Sequence, residues 1–238
     1  MIIFYYHPSP NPLKISLLLE ELEVPYDLVP VDTARGEQHL PVFRAINPNG
    51  KVPAIVDTDG PAGNEVRVFD STAILLYLAE KYDRFLGDAE IRAEVLSWLM
   101  FVGTGVGPFS GQAVHFRVFA PEDLPYAKKR YQAEALRHFG ILDERLSTSR
   151  YLAGDTYTIA DIALWGWIER ATFVLAKDEN PLEGFPGISR WAADLEMRPA
   201  VARARAAGST HAFKTDFDEE TRRALFPTSI PAEVEVSE

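Results

Sequence analysis

Cysteine is absent from all 238 residues. A disulfide framework, a Cys-x-x-Cys redox pair and a cysteine metal site are therefore excluded, and thiol chemistry has to come from a bound small molecule. Long hydrophobic runs are missing too: no apolar span of 18 residues occurs, and the opening Met1-Ile-Ile-Phe-Tyr-Tyr-His-Pro8 lacks the basic and apolar segments of a signal peptide. A soluble cytoplasmic protein with no membrane partner is expected. Positive charge is scarce, with 24 Lys and Arg against 35 Asp and Glu, a net charge of −11. Nucleic acid attracts basic surfaces, so it is not expected as a partner. Internal repeats and low-complexity blocks are also lacking.

What is present is an ordinary globular composition, 47% hydrophobic with 14 Phe, 9 Tyr and 4 Trp, enough for one large or two small cores. Residues 2–6 are β-branched and aromatic and read as a strand stopped by His7-Pro8. The apolar spacing of residues 14–23 is helical, and residues 26–31 form a second strand. Strand, helix and strand in that order predict a parallel pair joined by a right-handed crossover. Residues 35–39 read as a polar loop, residues 41–45 as a short helix. The stripe Ile91, Val95, Leu96, Leu99, Met100 and Val102 predicts a helix broken or kinked at Gly103, Gly105 and Gly107-Pro108. Further helices are predicted over 126–146, from Thr158 to Val174, and over 191–207 with a break at Arg198-Pro199. Thr158 as N-cap with Asp161 three residues on is a capping box, and both are assigned a structural role. The tail from Pro227 to Glu238 carries few apolar residues and is expected to be extended or mobile.

The chemistry concentrates in residues 47–72. Asn49-Gly50 is a turn signal, and Val52-Pro53 then opens the β-like run Ala54-Ile55-Val56. A proline at that place suits a strand start, and a cis bond there turns the Val52 backbone outward with its N–H and C=O unpaired. Such a residue holds a peptide-like ligand by strand addition. A second strand, Arg67-Val68-Phe69, runs into Asp70-Ser71 and a helical pattern at Ile74, Leu75, Leu78 and Tyr82. The helix start binds a carboxylate, and Asp70 accepts from an ammonium group. A ligand with an α-amino acid head and a peptide body fits both halves. Taken singly, the plainer reading of each feature is a turn proline and a helix cap.

Several stretches together resemble the cytosolic glutathione transferases over essentially the whole chain. They are Pro8-Ser-Pro-Asn11 with Lys14, Asn47-Pro-Asn-Gly-Lys-Val-Pro-Ala-Ile-Val56, Phe69-Asp-Ser71, Gly107-Pro-Phe-Ser-Gly-Gln-Ala-Val-His-Phe116, Arg130-Tyr-Gln132 and Thr158-Ile-Ala-Asp161. Within that family the chain is most similar to the bacterial nu-class, which are glutathione-dependent disulfide-bond reductases. The resemblance implies an α/β thioredoxin-like N-terminal domain over 1–82, an all-α C-terminal helical domain over 89–208, a C-terminal extension over 209–238, and a homodimer. It implies glutathione as cosubstrate and no metal. Backbone groups at Val52 and Pro53 would pair with the cysteinyl unit, Asp70 and Ser71 would hold the γ-glutamyl head, and Gln38 and Lys51 would approach the other polar end. Arg130 matches an arginine that reaches glutathione from the partner subunit, although a solvated helix charge is the plainer reading of it.

The same resemblance puts Ser9 and Asn11 beside the thiol as the catalytic residues. Both side chains donate hydrogen bonds, and the subgroup typically has threonine where Ser9 stands. Lowering a thiol pKa from about 8.5 by two units requires about 2.7 kcal/mol of selective thiolate stabilisation. One or two charge-assisted hydrogen bonds of about 1.5 to 3 kcal/mol each, with a helix N-terminus, supply it. Tyr5 and Tyr6 are rivals because other classes use a tyrosine hydroxyl there, but strand alternation sends them to opposite faces, and core packing is the expectation for both. His7, Gln112 and His115 are candidates for the second-substrate pocket, with packed, hydrogen-bonded histidines as the plainer reading.

Three functions follow from this reading. The first is a glutathione-dependent disulfide-bond reductase, with peroxide reduction or conjugation to an electrophile as accompanying activities. The second is a non-enzymatic glutathione-binding regulatory or interaction module of the same fold. The third is a glutathione-dependent dehalogenase, etherase or isomerase. With no protein cysteine, disulfide reduction has to pass through mixed disulfides of glutathione itself.

Overall fold

A computed structural model of the chain describes residues 1–177 and 179–227. The β-branched and aromatic run at the N-terminus forms β1 (Ile2–Tyr6), which alternates buried and half-buried residues as a strand with one covered face does. It is followed by α1 (Pro10–Leu22) and β2 (Tyr26–Pro30), which pairs with β1 in parallel. Helix α1 begins four residues earlier than the apolar spacing suggested. Pro10 and Pro12 sit in its first turn, where a missing N–H costs no intrahelical bond.

The predicted polar loop is folded into two 3-10 turns, Thr33–Arg35 and Glu37–His39, ahead of the short helix α2 (Pro41–Arg44). Strands β3 (Ala54–Asp57) and β4 (Val66–Phe69) are antiparallel and complete a sheet of order β2-β1-β3-β4. Helix α3 (Ser71–Tyr82) leaves β4 directly. The first third of the chain is thus the α/β thioredoxin-like unit.

The remainder is helical: α4 (Arg92–Phe101), α5 (Gly107–Val114), α6 (Pro125–Thr148), α7 (Ile159–Ile168), α8 (Ala171–Leu175), α9 (Pro186–Glu196), α10 (Pro199–Ala206) and α11 (Glu219–Leu225). The glycines between α4 and α5 do not break the helix. The chain passes through a π turn over Val102–Val106, where the Gly107 N–H donates to the Val102 carbonyl five residues back. The wider turn accommodates Pro108, which has no N–H and whose ring would crowd a regular turn. Gly103 faces Thr72 so closely that a Cβ would stand 2.6 Å from its Oγ1, so the small residue serves packing. Met100 is 43% exposed and falls outside the buried stripe of Val95, Leu99 and Val102.

Helix α7 is apolar around its circumference, and all ten of its residues are buried. Its start carries the predicted capping box: Thr158 Oγ1 accepts from the Ala160 N–H, and Asp161 Oδ2 accepts from the Thr158 N–H. Asp161 also accepts from the Leu152 N–H and from Trp191 Nε1. Gly166 lets α7 lie against the beginning of α1, since a Cβ there would stand 2.3 Å from the Pro10 carbonyl oxygen. One continuous apolar core therefore runs from Phe4, Leu18 and Leu75 to Phe139, Trp165 and Trp191. Among the described residues no helix is long and apolar enough to cross a membrane. The expected mobile tail lies, from residue 228 onward, outside the described residues.

Candidate functional site: a peptide cradle at three element starts

Three element starts converge at one end of the sheet, where Tyr5, Ala54 and Phe69 stand in register: those of α1, β3 and α3. Ser9 is the N-cap of α1, in extended conformation, yet its hydroxyl makes no capping bond. The sequence explains part of this. An N-cap oxygen accepts from the second or third helical N–H, and the third position is Pro12, which has none. Leu13 N–H already bonds the Ser9 carbonyl, so the Asn11 N–H is the one donor left over at this helix end. Ser9 Oγ, the Asn11 N–H and the Asn11 side-chain NH₂ thus form a compact set of uncommitted donors.

The Val52–Pro53 peptide bond is cis, and neither the N–H nor the C=O of Val52 bonds another described residue. The Asn47 side chain holds the preceding turn by donating to the Lys51 carbonyl and accepting from the Asn49 N–H. The Lys51 side chain is exposed.

At the start of α3, Asp70 adopts φ 71° and ψ 125°, a conformation that costs a non-glycine residue about 1–3 kcal/mol and that clusters at functional sites. Its Oδ1 accepts from the Thr72 and Ala73 N–H groups at 2.8 and 3.3 Å. Two of the helix-start donors expected for a ligand carboxylate are therefore taken by Asp70 itself. The Ser71 N–H and Asp70 Oδ2 remain, one donor and one acceptor, which is the complement of an α-amino acid head. Ser71 is 7% exposed, accepts from Lys14 Nζ at 3.4 Å and donates to Asn11 Oδ1 at 3.4 Å. The head-group end and the Ser9–Asn11 donors are thereby joined through one hydroxyl.

Gln38 departs from its expected part. It is buried, and its Nε2 donates to the Thr33 carbonyl and, at 2.9 Å, to the carbonyl of Ala224 in α11. Its Oε1 is buried without a partner among the described residues. The NH₂ edge of Gln38 is thus spent within the protein. No signal in the sequence around Gln38 reveals this, because its partner lies in the C-terminal segment.

That segment, residues 209–227, returns over the end of β1. Lys214 N–H donates to Asp32 Oδ2, and the Phe213 ring meets those of Tyr6 and His7. The Phe226 ring meets those of His115 and Phe119. His115 accordingly lies beneath the segment, while Gln112 is exposed. His7 Nδ1 bonds the Val31 carbonyl, and burial holds its pKa below the ordinary histidine value despite Asp32 nearby. Tyr5 packs on Phe43 on one face, and Tyr6 is buried on the other beside Phe4. Both tyrosines pack as expected. A cavity of about 380 Å³ adjoins the loop, lined among others by Tyr6, Pro8, Leu13, Arg170 and Phe213. None of the residues around Val52 or Asp70 lines it, so it is distinct from the cradle.

Arg130 is exposed and makes no hydrogen bond or ion pair among the described residues. Lys14, one turn into α1, is 1% exposed, and its Nζ stands 5.9 Å from the Trp167 ring centre. Burial pushes its pKa down to about 7, with the Asp70 carboxylate acting in the opposite sense. The sequence carried Lys14 only as a motif letter: a lysine on an amphipathic helix reads as solvent-facing until the packing of α7 is known.

The chain is similar to known proteins in sequence and in fold. Residues 8–81 match the family model "Glutathione S-transferase, N-terminal domain", and residues 125–194 match "Glutathione S-transferase, C-terminal domain". The disulfide-bond oxidoreductase YfcG of Escherichia coli is 43% identical over 206 residues, covering 86% of this chain and 94% of YfcG. A glutathione transferase family member from Pseudomonas fluorescens, solved with two glutathione bound, superposes with a TM-score of 0.81 at 38% identity, over 86% of this chain and 92% of that one. A glutathione transferase from Pseudomonas putida, with one glutathione disulfide bound per subunit, has a TM-score of 0.81 at 35% identity, over 87% of this chain and 91% of that one. By both family models, by identity over 86% of its length and by fold, this chain belongs to the glutathione S-transferase family.

Proposed function

We propose that this protein is a glutathione-dependent disulfide-bond reductase. Glutathione lies with its γ-glutamyl head on Asp70 Oδ2 and the Ser71 N–H, its cysteinyl unit along the Val52 backbone, and its sulfur at Ser9 and Asn11. The observation that carries this reading is the set of free donors at the start of α1: a hydroxyl, a main-chain N–H and a side-chain amide with no other partner than Ser71 among the described residues. Donors aimed at a sulfur stabilise the thiolate over the thiol, and the thiolate is the nucleophile.

The reaction follows from the missing cysteine. A glutathione thiolate attacks a disulfide RSSR, forms the mixed disulfide GSSR and expels RS⁻. A second glutathione thiolate attacks GSSR, forms glutathione disulfide and expels the other RS⁻, so two glutathione are oxidised as one disulfide is reduced. Each leaving thiolate takes the proton released by the glutathione that ionised. The two glutathione bound to the Pseudomonas fluorescens relative and the glutathione disulfide bound to the Pseudomonas putida relative are the species such a cycle begins and ends with. The reduced glutathione consumed is available in the cytoplasm.

A homodimer belongs to the same reading. Arg130 lies one turn beyond Tyr126, which is 80% exposed, and an unpaired arginine with an exposed aromatic on one helix face is the composition of an interface. Arg130 then reaches the glutathione of the partner subunit. Alanine at 130 is expected to raise the KM for glutathione about tenfold or more, as for a lost hydrogen bond to a charged group, without lowering Tm.

The test is turnover of a small dithiol-forming disulfide with glutathione, beside a standard aryl halide, by wild type, Ser9→Ala and Asn11→Ala. Disulfide turnover well above conjugation, reduced at least about tenfold by either substitution in a folded protein, is the expected result. Conjugation exceeding disulfide turnover points to a transferase. Binding of glutathione without either activity points to the regulatory module.

A further inference from the structure

The contact between Lys14, Ser71 and Asn11 has a direction. An ammonium group only donates, so when Lys14 is charged it takes a lone pair of Ser71 Oγ. The single hydroxyl hydrogen of Ser71 then points to Asn11, where it requires an acceptor, and Asn11 Oδ1 stands 3.4 Å away. With its carbonyl oxygen held by Ser71, the Asn11 amide turns its NH₂ edge away from α3. The opposite orientation would turn the carbonyl oxygen out, and an oxygen beside a thiolate repels it.

We propose that Lys14 is a positioning residue of the thiol site: its buried ammonium, acting through the Ser71 hydroxyl, fixes the Asn11 amide with the donor edge toward the glutathione sulfur. This rests on the reading of the cradle as a glutathione site. A neutral Lys14 amine accepts as well as donates, so the chain can then reverse and release the amide. Both states lie within reach of neutral pH, because burial holds the amine near pH 7. Asp70 at the start of α3 is the charge that acts on Lys14. From α7 it meets the uncharged Trp167 ring and Gly166. The cations that α10 and its N-cap bring to α1 sit at the other end of that helix, where Arg198 and Arg203 pair with Glu21 and Glu20. Arg170, which follows α7, is a further cation at the β1–α1 loop; it donates to the Pro8 carbonyl at 3.1 Å and bonds neither Ser71 nor Asn11.

The experiment is an ultraviolet titration of the thiolate of bound glutathione, at saturating glutathione, for wild type, Lys14→Met, Asn11→Ala and the double variant. Each single substitution is expected to raise the apparent thiol pKa by about one unit, a tenfold loss of thiolate at a pH below it. The double variant is expected to add nothing further, as for two residues acting in one chain. Should Lys14→Met fail to fold, Ser71→Ala interrupts the same chain with Lys14 in place, and the same rise is expected; weaker binding of the head group is removed by saturation. A wild-type thiol pKa in both Lys14→Met and Ser71→Ala overturns the proposal, as does an additive double variant. A different failure is recognisable by itself: if wild-type protein binds glutathione with the thiol pKa of the free peptide, the thiol-site reading falls and Lys14 loses its role with it.

Discussion

Gln38 and Ala224 are 186 residues apart in sequence, and the Gln38 amide nitrogen donates to the Ala224 carbonyl oxygen at 2.9 Å. That bond, with a second between His39 Nε2 and the same carbonyl, ties the rim of the cradle to α11, which also packs on the 3-10 turn Thr33–Arg35. Replacing Gln38 with alanine removes the donor that Thr33 and Ala224 share, while His39 Nε2 still meets the Ala224 carbonyl and the Gly36 N–H the Thr33 carbonyl, so the cost is about 0.5–1.5 kcal/mol. The expected readout is a lower Tm together with faster amide exchange confined to residues 214–227. Exchange rising evenly over the whole chain would instead mean that the segment is not held locally.

Pro12 withholds one of the two N–H groups an N-cap side chain can bond, and the Ser9 hydroxyl leaves the other, on Asn11, unbonded. Pro12→Ala restores the withheld N–H, and the Ser9 side chain is expected to swing onto the helix end. Gaining a cap stabilises by about 1 kcal/mol. The substitution is therefore expected to raise stability on this count while lowering disulfide turnover several-fold, and turnover at or above wild type would show that the Ser9 rotamer does not matter.

Lys14 has a stability signature that needs no ligand. Its folded pKa, about 7, lies below its unfolded value of 10.5, so between them the unfolded chain binds the additional proton. Stability therefore rises with pH through this window, and below pH 7 the buried charge is a full cost. Lys14→Met removes the cost. The difference in unfolding free energy between Lys14→Met and wild type, from denaturant titrations at several pH values, is expected to favour the variant most near pH 6 and to shrink toward pH 10. A difference independent of pH would mean that the amine is not buried in solution.

Thr158 and Asp161 belong to stability and not to chemistry. Thr158→Ala is expected to cost about 1 kcal/mol and to leave kcat/KM unchanged in the folded fraction. Asp161→Ala is expected to cost more, about 3–5 kcal/mol, because it leaves the Leu152, Thr158 and Trp191 donors buried without their acceptor. Equal losses for the two variants would contradict this ranking.

Much of this protein is legible in one dimension. Alternation in residues 2–6, the helical spacing after Ser71, the capping box at Thr158 and the fully apolar run from Ile159 each arise from neighbours within a few residues, and each is found where the pattern places it. The motif at Val52-Pro53 and Asp70-Ser71 is equally local, since a strand-start proline and a helix start create their unpaired backbone groups without help from afar. Where the reading missed, a competing local rule was at work. Two prolines lengthened α1 at its start, and a π turn absorbed the glycines and Pro108 that were expected to break the helix.

Composition and short-range pattern thus determined the two architectures and the unpaired backbone groups of the cradle, because these follow from local backbone geometry. Only the tertiary structure decided the state of individual polar groups. It buried Lys14 against Trp167 and aimed it at Ser71, spent the donors of Gln38 on Ala224, and turned two of the donors at the start of α3 onto Asp70. The reason is physical: a side chain's hydrogen-bond direction and charge depend on which partners and how much water surround it, and those partners come from segments far along the chain.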